Sequence, residues 1–138
     1  PDYLKARREA AAFYDKALAE TALAGYIELP YRAPYSTHTF HQYIIIAHSL
    51  QSGADVSSAR EAFKAHLAQV GIPSMVYYPL PLQEQEAFKG VAKAVGGLEN
   101  AALLSASVLS LPMHTELTEP IQNQVVAACK EFFAKFAL

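Results

Sequence analysis

The stretch from Gly71 to Gln85, GIPSMVYYPLPLQEQ, limits the possible folds of this chain more than any other. Its first residues, Gly-Ile-Pro, predict the end of a helix, because glycine accepts a left-handed conformation and proline prevents the helix from resuming. Ser74 to Tyr78 is then predicted to be a short strand. The next two prolines, Pro79 and Pro81, lack backbone donors, so the chain leaving that strand must run along a surface. The tyrosine hydroxyls and glutamine amides of this stretch are therefore expected at a sheet edge, where binding sites are commonly found.

Helices and strands alternate along the rest of the chain. Tyr43 to Ala47, YIIIA, is aromatic and β-branched, which is typical of a central strand covered on both faces. Ser58 and Glu61 have the spacing of a capping box, and Thr118 precedes a proline as a helix cap does. The predicted helices are Tyr3 to Ala24, Ser58 to Val70, Glu86 to Val95, Asn100 to Ser107 and a last helix after Thr118, and the predicted strands are Tyr26 to Leu29, Thr39 to His48, Ser74 to Tyr78 and Val108 to Leu111.

The order of these elements predicts the α/β class: one domain over residues 1–138, with a small mixed or antiparallel sheet flanked by helices. A chain of 138 residues is long enough for one core and marginal for two. Its 52% hydrophobic and 17% charged residues compare with about 45–50% and 25% in typical soluble domains. We therefore expect some apolar surface to face a partner.

Charge and apolar runs exclude several classes of partner. The formal net charge of -2 is small, and Lys and Arg form no stripe with exposed aromatics, so neither nucleic acid nor an anionic membrane is an expected partner. No apolar run approaches the ~20 residues of a membrane helix, and the single Cys129 suits a reducing compartment. These features predict a soluble cytoplasmic protein.

The residues that most often build metal or catalytic sites form no complete set here. His38 and His41, if both lie in the strand, point to opposite faces, and a tetrahedral metal site needs at least three converging protein ligands. No metal site is therefore predicted. Cys129 lies among the apolar residues of the last helix and is expected to pack rather than to react. The sequence contains no G-x-S-x-G, Walker or G-x-G-x-x-G motif.

Two charged pairs have simple structural interpretations. Arg7 and Arg8 are expected to form a solvated helix face. Glu84 and Glu86 are expected to form a solvated turn rather than an acid/base pair. The chain is therefore predicted to carry part of a functional site and not a complete catalytic apparatus.

Four segments, taken in their order and spacing, resemble a known family. They are RREAAAFYDKAL (7–18), HTFHQYIII (38–46), AFKAHLAQVGIPSMVYYPLPLQEQEAF (62–88) and VLSLPMHTELTEPIQNQVV (108–126). Together they resemble the C-terminal domain of the DegT/StrS family, the pyridoxal-phosphate-dependent aminotransferases that act on nucleotide-linked keto sugars. The resemblance implies the fold of the small C-terminal domain of fold type I pyridoxal-phosphate-dependent transferases.

The same resemblance implies where the chemistry lies. In this family a large domain holds pyridoxal phosphate through a Schiff-base lysine and an aspartate, and no lysine of this chain matches that motif. The implied reaction transfers an amino group from an amino acid, commonly glutamate, to a nucleotide-linked keto sugar, while the protein orients the reactants. We therefore expect no catalytic residue in this chain, no transamination by the chain alone, and a homodimer as the complete enzyme.

The resemblance also implies which residues face the substrate. The family pattern H/Y-Y-P-x-P-L-H-x-Q begins at Tyr77, so Tyr78 is the tyrosine expected to face the sugar nucleotide, together with Tyr77 and Gln83. Gln83 departs from the pattern, in which histidine is usual; an amide still donates and accepts hydrogen bonds but does not titrate. Because consecutive strand residues face opposite ways, one of Tyr77 and Tyr78 is expected in the core.

Three more residues are interpreted through the same resemblance. His41 and Gln42 fall on a patch that is frequently polar in the family's strand, and we include them among the substrate-binding residues. His114 belongs to a recurrent SLPMH turn, for which a structural role is expected. An alternative function remains open, a degenerate relative that persists as a non-enzymatic sugar-nucleotide-binding or dimerisation module. The missing lysine and the high apolar fraction favour that alternative.

Overall fold

A computed structural model of the chain describes residues 2–19, 25–50, 55–91, 93 and 95–136. Within these ranges, no helix is long and apolar enough to cross a membrane. The predicted class is confirmed, a small α/β domain with helices around one antiparallel sheet. The elements are the helices α1 (Asp2–Ala19), α2 (Val56–Gln69), α3 (Glu99–Ser107) and α4 (Glu119–Ala134), the strands β1 (Ile27–Glu28), β2 (Tyr43–Ala47) and β3 (Val108–Leu111), and two 3₁₀ turns, Leu82–Glu84 and Glu86–Phe88.

The three strands form the sheet in the order β1-β2-β3. β2 therefore lies in the centre, as its sequence predicts. Tyr43, Ile45 and Ala47 are buried on one face of β2, whereas Ile44 and Ile46 are half-buried on the other, because the side chains of a strand alternate between faces. The sheet is thus covered completely on one face and partly on the other.

The core continues from the sheet into an aromatic cluster between α2 and α4. The ring centre of Phe63, on α2, lies 5.1 Å from that of Phe132 and 4.8 Å from that of Phe133, both on α4. α4 also packs against α1, where the buried Gln122 donates a hydrogen bond of 2.9 Å to the carbonyl oxygen of Ala10. Apolar burial and a satisfied polar contact together hold the helices in place.

The N-terminus of α2 differs from the prediction. The helix begins at Val56, and the carboxylate of its N-cap, Asp55, accepts a hydrogen bond of 3.3 Å from the backbone N–H of Ser57. Hydrogen bonds from the Ser57 hydroxyl and then from its backbone N–H lower the pKa of the Asp55 carboxyl. The predicted capping box of Ser58 and Glu61 is wrong, because a carboxylate three residues before Ser58 satisfies the first N–H groups of the helix.

The predicted strand from Ser74 to Tyr78 is wrong in extent and is reduced to a single β-bridge. Met75 and Ser110 exchange two backbone hydrogen bonds, of 3.2 and 2.7 Å. Hydrogen-bonded pairs in an antiparallel ladder recur every second residue, so the next pair on one side is Pro73 opposite Pro112. Neither proline has a backbone N–H to donate, and the pairing stops there.

Two predicted helices also differ from the structure. α1 is described as far as Ala19, and residues 20–24 of the predicted helix lie outside the described ranges. The predicted helix from Glu86 to Val95 is wrong, since only the 3₁₀ turn Glu86–Phe88 is helical among its described residues. Gly90 has a φ of 75°, a left-handed conformation that does not continue a helix.

Cys129 lies in the core, as its place in α4 predicts. It is 0% exposed, and burial raises the pKa of its thiol from the ordinary 9.0 to about 12. We expect a thiol reagent at about pH 8 to label the native protein far more slowly than protein in urea, because the thiolate is the reacting form. Equal labelling rates would contradict the burial of Cys129 in the core.

The raised pKa of the Cys129 thiol also makes stability depend on pH. Since the thiol of the unfolded chain ionises at the lower pH, the stability that Cys129 contributes is constant below about pH 9 and falls as the pH rises toward 12.

Candidate functional site

A surface groove of about 330 Å³ lies at one end of the sheet. The register pairs Tyr43 with Leu111, so the residues just before β2 and just after β3 lie at the same end. The bridge between Met75 and Ser110 brings residues 73–77 to the same place. We call this surface the sheet-end groove. Its polar lining residues are His41, Gln42, Ser74, Tyr77, Ser110 and His114.

Three of the five predicted substrate-binding residues meet in the sheet-end groove. His41 and Gln42 enter it from the loop before β2, and Tyr77 enters it from the segment after the β-bridge. Tyr78 does not line the groove, but its ring centre lies 5.9 Å from that of Tyr77. Gln83 is half-buried in the first 3₁₀ turn, outside the groove lining.

Neither tyrosine of the pair lies in the core. Tyr77 is 39% exposed and Tyr78 is 73% exposed, and a cis peptide bond joins them. The prediction that one of them is buried is wrong. It assumed the side-chain alternation of a strand, and the chain here is paired only at Met75.

Arg7 and Arg8 hold the loop that precedes β2. Arg7 Nη1 donates hydrogen bonds of 3.1 and 3.0 Å to the carbonyl oxygens of Phe40 and His41, and Arg8 Nε donates one of 3.1 Å to that of His38. The prediction of a solvated helix face holds for Arg8, which is exposed. It is wrong for Arg7, which is half-buried and donates to two carbonyl oxygens of a loop that lies outside the sheet. His38 and His41 accordingly lie in this loop and not in the predicted strand.

Helix α1 also holds the opposite wall of the sheet-end groove. Tyr14 of α1 is 0% exposed, and its hydroxyl donates a hydrogen bond of 3.1 Å to the carbonyl oxygen of Pro112, two residues before His114. Burial raises the pKa of the Tyr14 hydroxyl far above its ordinary value, so this group remains a donor. One helix thus positions both loops, with Arg7 holding the loop of His41 and Tyr14 holding the segment that leads to His114.

Replacing Arg7 by methionine is expected to lower the free energy of unfolding by about 1–3 kcal/mol, because two carbonyls lose a charged donor while the aliphatic stem is kept. Urea unfolding measures the loss. Lys5→Met is the matched control on the same helix, since Lys5 makes only an exposed ion pair of 3.8 Å with Glu9. We expect the control to cost less than about 0.5 kcal/mol. Equal losses would show that Arg7 does not hold the loop.

A second cleft, of about 250 Å³, lies beside residues 31–38. Its Arg32 donates a hydrogen bond of 2.5 Å from Nε to a carboxylate oxygen of Asp15 and lies 4.4 Å from the ring centre of Phe40. The Tyr43 hydroxyl donates a hydrogen bond of 2.7 Å to the other oxygen of Asp15. These contacts tie the loop to α1 and β2, and we interpret this cleft as structural.

The described histidines do not converge on a metal site. Among the described residues, no three His, Cys, Asp or Glu side chains lie close enough to hold a metal ion. His66 is buried, with its Nε2 3.1 Å from the carbonyl oxygen of Ala128, and His38 Nδ1 accepts a hydrogen bond of 2.8 Å from the backbone N–H of Phe40. Both rings are hydrogen-bonded within the domain.

The sequence interpretation missed three polar residues that line the groove, Ser74, Ser110 and His114, and two residues that hold its walls, Arg7 and Tyr14. The expected structural role of His114 agrees with its turn contact, in which Nδ1 accepts a hydrogen bond of 3.2 Å from the backbone N–H of Glu116, yet the same residue lines the groove. Both strands could be recognised from their apolar sequences. The pairing of Tyr43 with Leu111 places His114, which follows β3, beside the residues that precede β2. Neither strand's sequence specifies the register of that pairing.

Comparisons with known proteins identify the family and the fold. Residues 1–130 match the profile of the DegT/DnrJ/EryC1/StrS aminotransferase family. A curated relative from Geobacillus stearothermophilus, described as a pleiotropic regulatory protein, is 37% identical over 131 residues, which make up 95% of this chain and 32% of the relative. A UDP-N-acetyl-3-dehydro-alpha-D-glucosamine 3-aminotransferase from Acidithiobacillus ferrooxidans is 35% identical over 117 residues, 85% of this chain and 27% of the relative.

A solved structure shows the same fold. The crystal structure of a DegT DnrJ EryC1 StrS aminotransferase from Brucella abortus matches with a TM-score of 0.78 and 31% identity, over 96% of this chain and 31% of that one. The small sheet with its flanking helices is therefore an aminotransferase domain. The chain belongs to the DegT/DnrJ/EryC1/StrS aminotransferase family, which confirms the resemblance noted in the sequence. It spans about a third of the length of the relatives it matches.

Proposed function

We propose that this chain is the small C-terminal domain of a pyridoxal-phosphate-dependent aminotransferase that transfers an amino group from glutamate to a nucleotide-linked keto sugar. The observation that carries the proposal is the sheet-end groove, in which His41, Gln42 and Tyr77 form one surface. The relative named for a reaction on a UDP-linked 3-dehydro sugar supports the substrate class. In this proposal Tyr78 and Gln83 extend the substrate-facing surface along the following loop.

None of the described residues that line the sheet-end groove is a lysine that could anchor pyridoxal phosphate beside the substrate. Lys5, Lys89 and Lys135 form ion pairs with nearby glutamates. We therefore propose that another part of the complete subunit holds the cofactor. The cofactor, when bound there, supplies the electron sink for amino transfer.

The role proposed for this chain is to bind and orient the sugar nucleotide. The Tyr78 hydroxyl and the Gln83 amide donate hydrogen bonds to the polar nucleotide sugar, and the aromatic rings pack against it. The hydrogen bonds of Arg7 and Tyr14 keep the groove walls in place before the substrate arrives. Such positioning lowers the entropic part of the barrier without a catalytic residue in this chain.

The activity test uses a subunit of full family length that contains this chain. With pyridoxal phosphate, glutamate and nucleotide sugars that differ in the position of the ketone, we expect an amino sugar nucleotide and 2-oxoglutarate as products. Chromatography with mass spectrometry detects both. A subunit that aminates none of these sugars would contradict the proposal.

The 138-residue chain by itself is expected to form no specific Schiff base with pyridoxal phosphate. Borohydride reduction followed by mass spectrometry measures which lysines react. We expect partial labelling spread over exposed lysines such as Lys5 and Lys135, in the same pattern as the chain unfolded in urea. One lysine labelled stoichiometrically in the folded chain alone would show that the chain anchors the cofactor itself.

A second candidate function is a non-enzymatic module that binds a sugar nucleotide or dimerises. The relative described as a pleiotropic regulatory protein favours it, as do the exposed Leu82, Val91 and Leu103, at 66%, 80% and 54%. This candidate predicts self-association or nucleotide binding by the chain, without turnover in the full-length subunit. A chain that sediments as a monomer and binds no nucleotide in calorimetry would exclude it.

We also propose that the complete enzyme is a homodimer in the cytoplasm. The exposed apolar side chains of the segment from Leu80 to Leu104 support an interface that includes this segment. Neither nucleic acid nor a membrane is a partner in this proposal. Sedimentation of the full-length subunit as a monomer would contradict the dimer.

A further inference from the structure

The sheet-end groove has the chemistry of a receptor for an anion. Its polar lining consists of two imidazoles, one carboxamide, one phenol and two serine hydroxyls. Each of these groups can donate a hydrogen bond. None of the described residues that line the groove is acidic. A negatively charged group with several acceptor oxygens complements such a surface.

His114 has a defined donor atom. Its Nδ1 accepts a hydrogen bond of 3.2 Å from the backbone N–H of Glu116. A backbone N–H can only donate, so Nδ1 carries no proton in this contact and the ring proton lies on Nε2. The turn that holds the ring therefore leaves Nε2–H as the donor for a ligand.

Ser74 lines the sheet-end groove, and its hydroxyl oxygen is buried without a hydrogen-bond partner among the described residues. Protein atoms cover this oxygen, so it is not within reach of a ligand in the groove. The donors that a ligand can reach belong to side chains that are exposed or half-buried, those of His41, Gln42, Tyr77 and His114.

Apolar side chains lie between the polar groups of the groove, those of Met75, Leu111 and Met113. The walls are held from behind by Arg7 and Tyr14, so the donors are positioned without the ligand.

We propose that the sheet-end groove binds an anionic group, a phosphate or a carboxylate, through Nε2–H of His114, with His41, Gln42 and Tyr77 as further donors. This inference rests on the proposed function, which supplies both kinds of anion. The diphosphate of a nucleotide sugar is one, and the carboxylates of an amino-acid donor are the other.

Calorimetric titration of the 138-residue chain separates the two sources. UDP-N-acetylglucosamine and pyrophosphate test for a phosphate, glutamate tests for a carboxylate, and uridine and N-acetylglucosamine are neutral controls. We expect saturable binding of one class of anion and none of the neutral compounds. Binding of no anion, or equal binding of the neutral compounds, would overturn the proposal.

His114→Phe keeps an aromatic ring and removes its donor. We expect the dissociation constant for the anion to rise about tenfold or more, as for the loss of a hydrogen bond to a charged group. His48→Phe is the matched control, since His48 follows the far end of β2, where its backbone N–H donates to the carbonyl oxygen of Tyr26. The dissociation constant of the His48→Phe variant for the anion is expected within about twofold of wild type. Equal affinities of His114→Phe and wild type would overturn the proposal.

A further variant covers the possibility that His114→Phe fails to fold, which circular dichroism would detect. Tyr77→Phe removes only an exposed hydroxyl and is expected to weaken anion binding about threefold or more. Unchanged affinity in Tyr77→Phe would then overturn the proposal.

The outcome of the anion-binding experiment is distinguishable from that of the activity test. Binding is measured on the chain alone, and turnover is measured on the full-length subunit. Turnover without anion binding by the chain overturns only the inference about the groove. Anion binding without turnover supports the groove and favours the non-enzymatic module.

Discussion

Replacing Tyr78 by alanine in a subunit of full family length is expected to lower kcat/KM for the sugar nucleotide roughly 10- to 100-fold. Tyr78 is 73% exposed and its ring lies beside that of Tyr77, so its removal should delete the proposed substrate contact and little of the fold. Tyr78→Phe separates the two parts of that contact, since it keeps the ring and removes the hydroxyl. Steady-state kinetics at varied sugar-nucleotide concentration measures both variants.

Tyr35→Ala is the matched control for this experiment. Tyr35 is 87% exposed and belongs to the loop before β2, outside the lining of the sheet-end groove. Its kcat/KM is expected to stay within about twofold of wild type, and both alanine variants are expected to change the free energy of unfolding by less than about 0.5 kcal/mol. A Tyr78→Ala enzyme with wild-type kcat/KM would show that Tyr78 does not face the sugar nucleotide.

Replacing Phe63 by alanine is expected to lower the free energy of unfolding by about 3–5 kcal/mol. Phe63 is 0% exposed, and its ring joins α2 to the Phe132 and Phe133 rings of α4. Removing the ring takes apolar surface out of the core and leaves a cavity that the two neighbouring rings fill only in part. Because a domain of this size is stable by about 5–15 kcal/mol, the variant should unfold at a much lower urea concentration.

Phe88→Ala is the control for Phe63→Ala. Phe88 is 39% exposed and ends the second 3₁₀ turn. Its replacement is expected to cost less than about 1 kcal/mol. Equal losses for the two variants would mean that the cluster between α2 and α4 is not the centre of the core.

The elements that were predicted well are those that local sequence specifies. β2 is a run of aromatic and β-branched residues, and α3, β3 and α4 lie where the apolar pattern, the prolines and Thr118 place them. Each of these signals acts within a few residues along the chain. Their order was enough for the α/β class, and the four quoted segments were enough for the family.

Two of the errors arose where distant parts of the chain come into contact. Ser74 to Tyr78 has a strand-like composition, but it pairs with β3 only at Met75. On one side of that bridge Pro73 stands opposite Pro112, and neither has a backbone N–H to donate. Arg7 has the pattern of a solvated helix position, yet it donates to carbonyls more than thirty residues away. No local sequence pattern indicates that Met75 pairs with Ser110 or that Arg7 binds the loop before β2.

Residue order alone determines the elements that have strong local signals, which family the chain belongs to and which loop carries the tyrosines, because propensity, proline and motif spacing are properties of neighbouring residues. The sheet-end groove depends on tertiary contacts that no local sequence pattern shows. The pairing of Tyr43 with Leu111 brings His41 and Gln42 to the side of His114. That register depends on how both faces of the sheet pack against the helices, and a shift of one residue would turn every side chain to the other face.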